Sequence, residues 1–290
     1  MHNYCTNFDM GYFPKWLVMY KSWLRWSYEE DVMHVLPMNA ETHDFLNKTG
    51  PWPRVRIWSW APPRPENRTW AEHCWSMAPY FTQKVKDDLL SGPHPVQVFD
   101  VTYLDADLRF YAPISHIWGE MSRESVVAIV PHRFMPEDVA RLSPNGLYNV
   151  SWVTFRNDPC ARAVLDRWAE QVRNKCDKES CGDQKYLDEW PALLGKGLHV
   201  FKEPGIGMGP WHVRRYTMSD GLKFFEQERE LGEKSQLYFY HFHELTRRPN
   251  GEYYMTGYKV PISFVQDVYV PYIAELDAAY AMMEQMKRMP

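Results

Sequence analysis

Cysteine is scarce in this chain, and its spacing excludes a structural zinc site. The sequence has five cysteines in 290 residues, at Cys5, Cys74, Cys160, Cys176 and Cys181. None of them forms the paired Cys-x-x-Cys spacing that tetrahedral zinc sites use. An odd number leaves one thiol over if the others are bridged, so we expect reduced thiols and a cytoplasmic location. A bridge between Cys176 and Cys181, which flank a polar loop, is the alternative.

Long apolar runs and an excess of positive charge are also missing. No stretch approaches the roughly 18–20 apolar residues of a membrane span, and the first residues show neither the basic nor the apolar region of a signal peptide. The formal net charge is −4, which provides no electrostatic footprint for unspecific binding to a nucleic-acid backbone. We therefore expect a globular protein that meets a membrane, if at all, from the surface.

Aromatic side chains, by contrast, are abundant: the chain has 13 Trp, 18 Tyr and 14 Phe. Aromatic rings fill large cores, and their faces also stack on sugar rings and nucleobases. At 290 residues the chain can bury one large core or two modest ones. The composition is that of a globular enzyme, with a slight bias towards a carbohydrate or nucleotide ligand.

Strands and helices alternate along most of the chain, which predicts an α/β fold with a mostly parallel central sheet flanked by helices. We expect strands near residues 4–7, 32–36, 55–60, 101–104, 125–130, 149–155, 198–201 and 237–242, and helices near residues 14–26, 41–47, 69–88 and 161–176. Apolar residues at Ile273, Leu276, Tyr280 and Met283 predict a final amphipathic helix. We expect one catalytic domain over residues 1–258. A helical extension over residues 259–290 is expected to pack on that domain, or on a partner subunit in a homo-oligomer.

Two aspartates mark the end of one predicted strand. Val101, Tyr103 and Leu104 are typical of a buried strand, and Asp105 and Asp107 follow it with one small alanine between them. Hard carboxylate oxygens suit Mg²⁺ or Mn²⁺, which take few protein carboxylates and let substrate phosphates complete the coordination shell. A nucleoside diphosphate sugar is such a substrate. The alternative is a solvated acidic turn, because Asp-x-Asp alone is a common sequence.

Three further segments support a metal-binding role for this acidic pair. They are Tyr148-Asn149-Val150-Ser151 in a predicted strand, Cys181-Gly182-Asp183-Gln184 at the start of a predicted helix, and Tyr240-His241-Phe242-His243 at the end of a late strand. With Leu104-Asp105-Ala106-Asp107 and the opening Tyr4-Cys5-Thr6-Asn7-Phe8-Asp9, they resemble, in this order, the nucleotide-diphospho-sugar transferases of the GT-A fold. More narrowly, they resemble the retaining group that includes glycogenin-like and lipopolysaccharide galactosyltransferase-like enzymes. The resemblance covers residues 3–245 and implies a Rossmann-like GT-A domain with glycosyltransferase activity.

The resemblance implies a metal site. Asp105 and Asp107 match the carboxylates that hold Mn²⁺ or Mg²⁺ against the diphosphate of the donor, so Asp105 also belongs to the donor site. His241 matches the third protein ligand, and a neutral imidazole is a suitable ligand for Mn²⁺. His243 is the alternative, because the glycine of the family's terminal motif is Glu244 here. Without the aspartates, either histidine would be an ordinary residue of a half-buried strand.

The resemblance also places Asp183 and Gln184 beneath the anomeric carbon of the donor sugar. In a retaining mechanism such groups stabilise oxocarbenium character, while the leaving phosphate helps to deprotonate the acceptor on the same face. In an inverting variant, Asp183 acts instead as the general base towards the acceptor hydroxyl. The structural alternative is that Asp183 is the N-cap of the helix that begins near Lys185.

Donor-binding residues are expected at three places. Thr6, Asn7 and Asp9 lie at the carboxyl end of the first strand, where open α/β sheets bind ligands, and their side chains are able to read a pyrimidine edge or ribose hydroxyls. Arg68 precedes the helix that leads to the acidic pair and is expected to pair with phosphate; the alternative is a surface arginine. Trp211 ends a glycine-containing loop and is expected to pack beside the diphosphate; the alternative is a simple connection.

The sequence thus predicts a metal-dependent glycosyltransferase that moves a sugar from a nucleoside diphosphate, by resemblance UDP, to an acceptor hydroxyl, with retention favoured over inversion. A nucleotidyltransferase is one alternative, but it needs a further acid near the pair and a glycine-rich basic loop, and neither is found. A carbohydrate- or nucleic-acid-binding module that has lost turnover is the other. The acceptor stays open among a glycan, a lipid-linked saccharide, a protein side chain, a small molecule and a modified nucleobase.

Overall fold

The computed structural model of the protein describes residues 1–91, 99–179, 182–219, 222–226 and 234–288. Within these ranges the strands are β1 (Asn3–Phe8), β2 (Val32–Pro37), β3 (Val55–Ile57), β4 (Asp100–Leu104), β5 (Leu108–Phe110), β6 (Val127–Pro131), β7 (Tyr148–Arg156), β8 (Leu198–Val200), β9 (Tyr216–Ser219), β10 (Lys223–Glu226), β11 (Ser235–Gln236), β12 (Phe239–His241), β13 (Thr246–Arg247) and β14 (Tyr253–Tyr254). The α-helices are α1 (Phe13–Trp26), α2 (Ala40–Thr49), α3 (Trp70–Ser91), α4 (Ile114–Glu120), α5 (Val139–Leu142), α6 (Pro159–Asn174), α7 (Trp190–Leu194), α8 (Ile262–Phe264) and α9 (Val270–Lys287), and a π-helical turn, Val265–Tyr269, joins the last two.

Seven strands in the described part of the chain form the central sheet, in the order β3-β2-β1-β4-β7-β6-β8. The strands β3, β2, β1 and β4 are parallel, β7 runs antiparallel between β4 and β6, and β8 is parallel to β6. Parallel neighbours need crossover connections, and helices supply most of them here. The prediction of an α/β fold with a mostly parallel central sheet is confirmed.

The sheet buries side chains on both faces, as strands covered by helices on either side do. All six residues of β1 are buried. Tyr4 and Phe8 face a layer that includes α1, whereas Cys5 faces a layer that includes α3 and α6. The alternation of successive side chains across a strand produces these two layers. Many of the aromatic residues lie in them, for example Trp16 and Tyr20, whose stacked ring centroids are 5.1 Å apart.

The predicted helices are confirmed with small changes at their ends. Helix α1 has Pro14 in its first turn, where the missing N–H of proline breaks no helical hydrogen bond. Helix α6 begins after Asp158, whose carboxylate accepts hydrogen bonds from the backbone N–H groups of Cys160 and Ala161. Such an N-cap satisfies donors that the first turn of a helix leaves without a partner.

Three predicted elements differ from the structure. The strand predicted over 55–60 ends at Ile57; beyond it only isolated hydrogen bonds continue towards β2, from the N–H groups of Trp58 and Ala61 to the carbonyls of Val35 and Pro37. The strand predicted over 237–242 is reduced to β12, which pairs with β5 outside the central sheet. The helix predicted near Lys185 is a 3₁₀ helix, Gln184–Glu189, that leads into α7.

Four cysteines, Cys5, Cys74, Cys160 and Cys176, are free thiols among the described residues. Cys181, and with it the possible bridge to Cys176, lies outside the described residues. None of the described helices combines the length and the apolar character that crossing a membrane requires.

The last helix packs on the body of the chain. Helix α9 contacts α1, and Leu276, Ala279 and Met283 are buried in the layer that contains α1. Tyr272 of the same helix stacks on Phe242, with ring centroids 3.5 Å apart. The helix therefore supports the segment that follows β12. The division of the chain at residue 258 stays a prediction.

Candidate active site

Asp105, Asp107 and His241 meet at the carboxyl end of β4. Asp105 and Asp107 form the short connection from β4 to β5, and β12 pairs antiparallel with β5 so that His241 lies opposite Leu108. The His241 Nε2 atom is 3.1 Å from Asp107 Oδ1 and 3.7 Å from Asp105 Oδ2. One candidate ligand atom from each of the three side chains lies within 4.8 Å of the others. The pairing of β12 with β5 thus places His241 next to two aspartates that precede it by more than 100 residues.

Backbone hydrogen bonds hold this arrangement in place. The backbone N–H of Phe242 donates to the Asp107 carbonyl at 3.0 Å, and that of His241 donates to the Met208 carbonyl at 2.8 Å. The N–H of Asp105 donates to the carbonyl of Ser151 on β7 at 3.4 Å. The three candidate ligands are therefore tied to β5, to the loop before β12 and to the central sheet, rather than to one flexible turn.

Charges in the cluster are nearly balanced. The Lys15 ammonium on α1 is 3.5 Å from Asp107 Oδ2, and both side chains are about nine-tenths buried. Burial alone would raise the pKa of Asp107, but His241 and Lys15 outweigh it and hold that pKa below its ordinary value. Burial would lower the pKa of His241, but Asp107 and Asp105 raise it. Burial also raises the pKa of Asp105 to about 6, with a further contribution from Asp107.

The donor set fits a small divalent cation. Two carboxylates and one imidazole are hard or borderline ligands, and mixed oxygen and nitrogen coordination suits Mn²⁺ better than Mg²⁺. Without the ion, His241 and Lys15 supply the positive charge that two buried carboxylates require. His243 lies outside the cluster: 46% of its side chain is exposed, and its Nε2 is 3.9 Å from Glu244 Oε1.

Asp183 is buried near Asp105. Its pKa is raised well above the ordinary value, mainly by burial and next by the Asp105 carboxylate. Although Asp183 occupies the N-cap position of the 3₁₀ helix, its side chain makes no capping hydrogen bond. The indole N–H of Trp168 donates to the Asp183 carbonyl at 2.9 Å, which fixes the backbone. Gly182, just before it, has a φ of 62°, and an added Cβ would lie 2.9 Å from the Trp75 ring.

Gln184 lies next to Asp183 and is connected to the candidate metal ligands through Asn149. The Asn149 amide nitrogen donates to Gln184 Oε1 at 3.0 Å, and the Asn149 amide oxygen is 3.2 Å from His241 Nδ1. The Gln184 amide nitrogen donates to the Asn145 carbonyl at 2.6 Å. The Asn149 amide nitrogen is also 3.1 Å from His132 Nε2. A single buried network therefore contains a candidate metal ligand and a candidate catalytic residue.

The predicted donor residues of β1 lie at the same edge of the sheet. Thr6 is fully buried, and its hydroxyl has no hydrogen-bond partner among the described residues. Asn7 accepts a hydrogen bond from the Tyr103 hydroxyl at 3.1 Å and donates to the Cys74 carbonyl at 3.2 Å. Asp9 accepts from the Trp70 indole at 2.6 Å. Asn7 and Asp9 thus have protein partners, and their donor-binding role stays a prediction.

Arg68 and Trp211 occupy different surroundings. The Arg68 guanidinium donates to the carbonyls of Val172 and Arg173 at 2.6 and 2.7 Å, so it closes the carboxyl end of α6. The Trp211 ring is buried, and its centroid is 5.5 Å from that of His241. A cavity of about 340 Å³ lies beside Trp211 and is also lined by Arg214, Glu244, Tyr258 and Lys259. Of the two residues, Trp211 is the one that lies beside a candidate metal ligand, His241.

Glu244 occupies the position of the glycine in the resembling motif, and the backbone there has a φ of 66°. This is the left-handed region that glycine adopts without strain and other residues adopt at a cost. The Glu244 carboxylate accepts from the Thr256 hydroxyl at 3.0 Å and from the Gly257 N–H at 2.8 Å. These two hydrogen bonds offset the strain and attach residues 256–257 to the turn that follows His243.

Lys15 and His132 belong to the site, and the sequence argument missed both. Each has a signal in the sequence. Lys15 is the one charged residue in the apolar run Phe13–Tyr20 of a helix that follows β1, and His132 comes two residues after the end of the predicted strand at 125–130. Charged or polar residues near the carboxyl ends of parallel strands are typical of binding sites in open α/β sheets.

The strand order of the central sheet, with one antiparallel strand among the described strands, matches the GT-A fold that the sequence resemblance implies. Solved glycosyltransferases have the same fold, which confirms the resemblance at this level. An active-site mutant of LgtC superposes with a TM-score of 0.54 at 12% identity, covering 96% of this chain and 95% of LgtC. GlyE of Streptococcus pneumoniae TIGR4 superposes with a TM-score of 0.53 at 11% identity, covering 97% of this chain. This chain spans 63% of GlyE, less than two thirds of its length.

Sequence comparison gives a nearer relative. The chain is 29% identical over 260 residues to the uncharacterized protein YfnF of Bacillus subtilis (strain 168), a match that covers 82% of this chain and 80% of YfnF. No family model matches the chain.

Proposed function

We propose that this protein is a metal-dependent glycosyltransferase that moves a sugar from a nucleoside diphosphate, UDP in the first instance, to an acceptor hydroxyl with retention of configuration. The proposal depends on one observation. Asp105, Asp107 and His241 converge, largely buried, at the carboxyl edge of a glycosyltransferase fold. Ligands of open α/β sheets bind at this edge.

In this proposal Asp105, Asp107 and His241 hold Mn²⁺ or Mg²⁺. The ion, when bound, neutralises charge on the diphosphate leaving group. Thr6, Asn7 and Asp9, around the end of β1, are the residues that we assign to the base and ribose. Lys15 is within 3.5 Å of Asp107 and supplies a positive charge next to the phosphates. Trp211 packs behind His241 and shields the cluster from water.

Retention is supported by the state of Asp183. A general base towards the acceptor must be an ionised carboxylate near neutral pH. Burial and the neighbouring Asp105 raise the pKa of Asp183 well above its ordinary value, which disfavours an ionised base at this position. The Asp183 carboxyl group and the Gln184 amide suit a polar surface under an oxocarbenium-like sugar. In that case the departing phosphate, on the same face, takes the acceptor proton.

The acceptor class we propose to test first is a saccharide. LgtC, a galactosyltransferase of the same fold, was solved in complex with donor and acceptor sugar analogs, with a TM-score of 0.51 and 12% identity. The cavity of about 340 Å³ beside Trp211 has aromatic and carboxylate side chains in Trp211, Tyr258 and Glu244. Sugars are commonly bound by this combination of ring faces and hydrogen-bond acceptors.

A screen of UDP-sugars by thermal shift, with and without Mn²⁺, tests the donor. At a donor concentration of about 100 times Kd, stabilisation is about 2.7 kcal/mol, which corresponds to an increase in Tm of about 5 °C. We expect this increase to require Mn²⁺, and slow UDP release to accompany it. Asp105→Ala and Asp107→Ala should lose both effects. Asp88→Ala is a matched control, because Asp88 pairs with Arg56 on the surface.

Assays of turnover with other substrates separate the alternatives. Release of pyrophosphate from a nucleoside triphosphate would support a nucleotidyltransferase. Binding of a UDP-sugar without any turnover, in the presence of a wide panel of acceptors, would support a binding module. Turnover that is unchanged in Asp105→Ala and Asp107→Ala would refute the metal assignment.

A further inference from the structure

Asn149 has all four hydrogen-bonding positions of its amide occupied by protein groups. It lies near the start of β7, is 5% exposed, and contacts four partners. Its amide oxygen accepts from the Ser151 N–H at 2.9 Å and is 3.2 Å from His241 Nδ1. Its amide nitrogen is 3.1 Å from His132 Nε2 and 3.0 Å from Gln184 Oε1. An amide has two acceptor and two donor positions, so none is left over.

Two backbone groups fix the direction of every hydrogen bond in this network. The Ser151 N–H can only donate, so the oxygen of Asn149 faces it. The Asn145 carbonyl can only accept, so the nitrogen of Gln184 faces it and the Gln184 oxygen faces Asn149. Neither amide can be turned round without placing two donors or two acceptors together.

This assignment decides the form of both histidines. Because the Asn149 oxygen is an acceptor, His241 must carry a proton on Nδ1 to donate to it. The Nε2 atom of His241 faces Asp105 and Asp107. It is therefore the nitrogen that gives up its proton when a cation binds, because Nδ1 keeps its own proton for Asn149. His132 must accept at Nε2 from the Asn149 nitrogen, which requires a neutral ring. Consistent with this, burial lowers the pKa of His132 to about 3.

The backbone of β7 explains how the Asn149 side chain contacts residues from three other segments. The pairing of β6 with β7 is irregular: Ile129 pairs with Val153, but the next residue, Val130, pairs with Asn149. The extra residues of β7 form a bulge, and the N–H of Ser151 within it is satisfied by the Asn149 side chain itself. Bulges beside active sites redirect side chains in this way. The same bulge presents the Ser151 carbonyl to the N–H of Asp105.

We propose that Asn149 is a positioning residue that performs two tasks through one amide. Its oxygen keeps the proton of His241 on Nδ1, so that Nε2 is free to bind the cation. Its nitrogen holds the Gln184 oxygen in a fixed direction beside Asp183. The inference rests on the proposed function for the role of Gln184, whereas the His241 part concerns cation binding alone. Partners of this kind around a metal ligand commonly contribute 10- to 100-fold in affinity or activity.

Two substitutions separate the two tasks. Asn149→Ala removes both, and we expect the dissociation constant for Mn²⁺ alone to rise by about 10- to 100-fold. Asn149→Asp keeps an oxygen for His241 and loses both N–H donors. We expect it to bind Mn²⁺ at least as tightly as the parent protein, but to lower kcat for a UDP-sugar by about 10-fold or more with little change in KM.

The matched control is Asn3→Ala. Asn3 is also a buried asparagine whose oxygen lies 3.2 Å from a histidine ring nitrogen, that of His34, but it lies at the amino end of β1. It reports the loss of stability that removal of any such amide causes. Free Mn²⁺ is measured by electron paramagnetic resonance in the absence of nucleotide. The visible absorption of the Co²⁺-loaded protein reports whether an imidazole ligand is present, with His241→Ala as the reference spectrum.

We expect the Co²⁺ spectrum of Asn149→Ala to move towards that of His241→Ala, and the spectrum of Asn149→Asp to stay with the parent. Equal Mn²⁺ affinity in Asn149→Ala and Asn3→Ala would overturn the proposal. So would an equal loss of Mn²⁺ affinity in Asn149→Ala and Asn149→Asp. The metal measurements need no sugar donor, so they decide the His241 part even if no UDP-sugar is turned over.

Discussion

Asp105 and Asp107 are two residues apart, yet we predict that replacing each by asparagine changes the stability of the metal-free protein in opposite directions. The folded structure raises the pKa of Asp105 to about 6 and lowers that of Asp107. Above the folded pKa of Asp105, the native state carries the cost of an ionised carboxylate that the unfolded chain does not pay. Asp107, by contrast, stabilises the fold through His241 and Lys15.

The expected sizes follow from these pKa values. The difference between the ordinary 3.8 and about 6 corresponds to about 3 kcal/mol at about 1.4 kcal/mol per pH unit. This is an upper limit, because 27% of the Asp105 side chain is exposed to solvent. We therefore expect Asp105→Asn to raise the free energy of unfolding by about 1–3 kcal/mol at neutral pH. Asp107→Asn leaves Lys15 without its nearest carboxylate and should lower the free energy of unfolding by about 3 kcal/mol.

Urea unfolding in EDTA at neutral pH measures both variants against the parent protein. Mn²⁺ titration of the same samples is the second readout, and we expect both variants to lose metal binding. Opposite effects on stability with the same effect on metal binding would identify Asp105 as a residue kept for function at a cost to the fold. Equal destabilisation by the two substitutions would refute this account of the charge balance.

Three other predictions follow from the site. Mn²⁺ affinity should fall as the pH drops through about 6, because protons compete with the cation for Asp105 and His241. The pKa of Asp105 is raised to about 6, and that of His241 is raised as well. An affinity that is constant between about pH 5 and about pH 8 would contradict this prediction. Gly182→Ala should lower the free energy of unfolding by about 1–3 kcal/mol and lower turnover. The reason is that the φ of 62° at Gly182 disfavours alanine and the new Cβ would lie 2.9 Å from the Trp75 ring. An unchanged Tm and kcat would show that this position tolerates a side chain. Arg68→Met should lower the free energy of unfolding by about 1–2 kcal/mol while KM for the donor stays the same, because the guanidinium closes the carboxyl end of α6; a several-fold rise in KM would instead support the phosphate role predicted from the sequence.

The alternation of side chains along a strand does not distinguish His241 from His243 as a candidate metal ligand. Residues two apart point to the same face of a strand, so the sequence gives both histidines the same direction. The strand ends at His241, which pairs with Leu108, and the chain then turns at Glu244, where φ is 66°. The cluster of candidate metal ligands includes His241 and not His243 for this reason. The end of a strand depends on its partner, and the partner here is more than 100 residues away.

Local patterns in the sequence were enough to predict the alternation of strands and helices, the mostly parallel sheet and the acidic pair at a strand end, because these follow from the spacing of apolar residues and from short-range backbone preferences. Tertiary structure alone decided the contacts between distant segments. It placed Lys15 against Asp107 by packing α1 on the sheet, moved Arg68 to the end of α6, and joined His241 to Gln184 through a bulge at Asn149. The sequence determines the chemical nature of each side chain. The residues that a side chain contacts depend instead on which surfaces the fold brings together and removes from water.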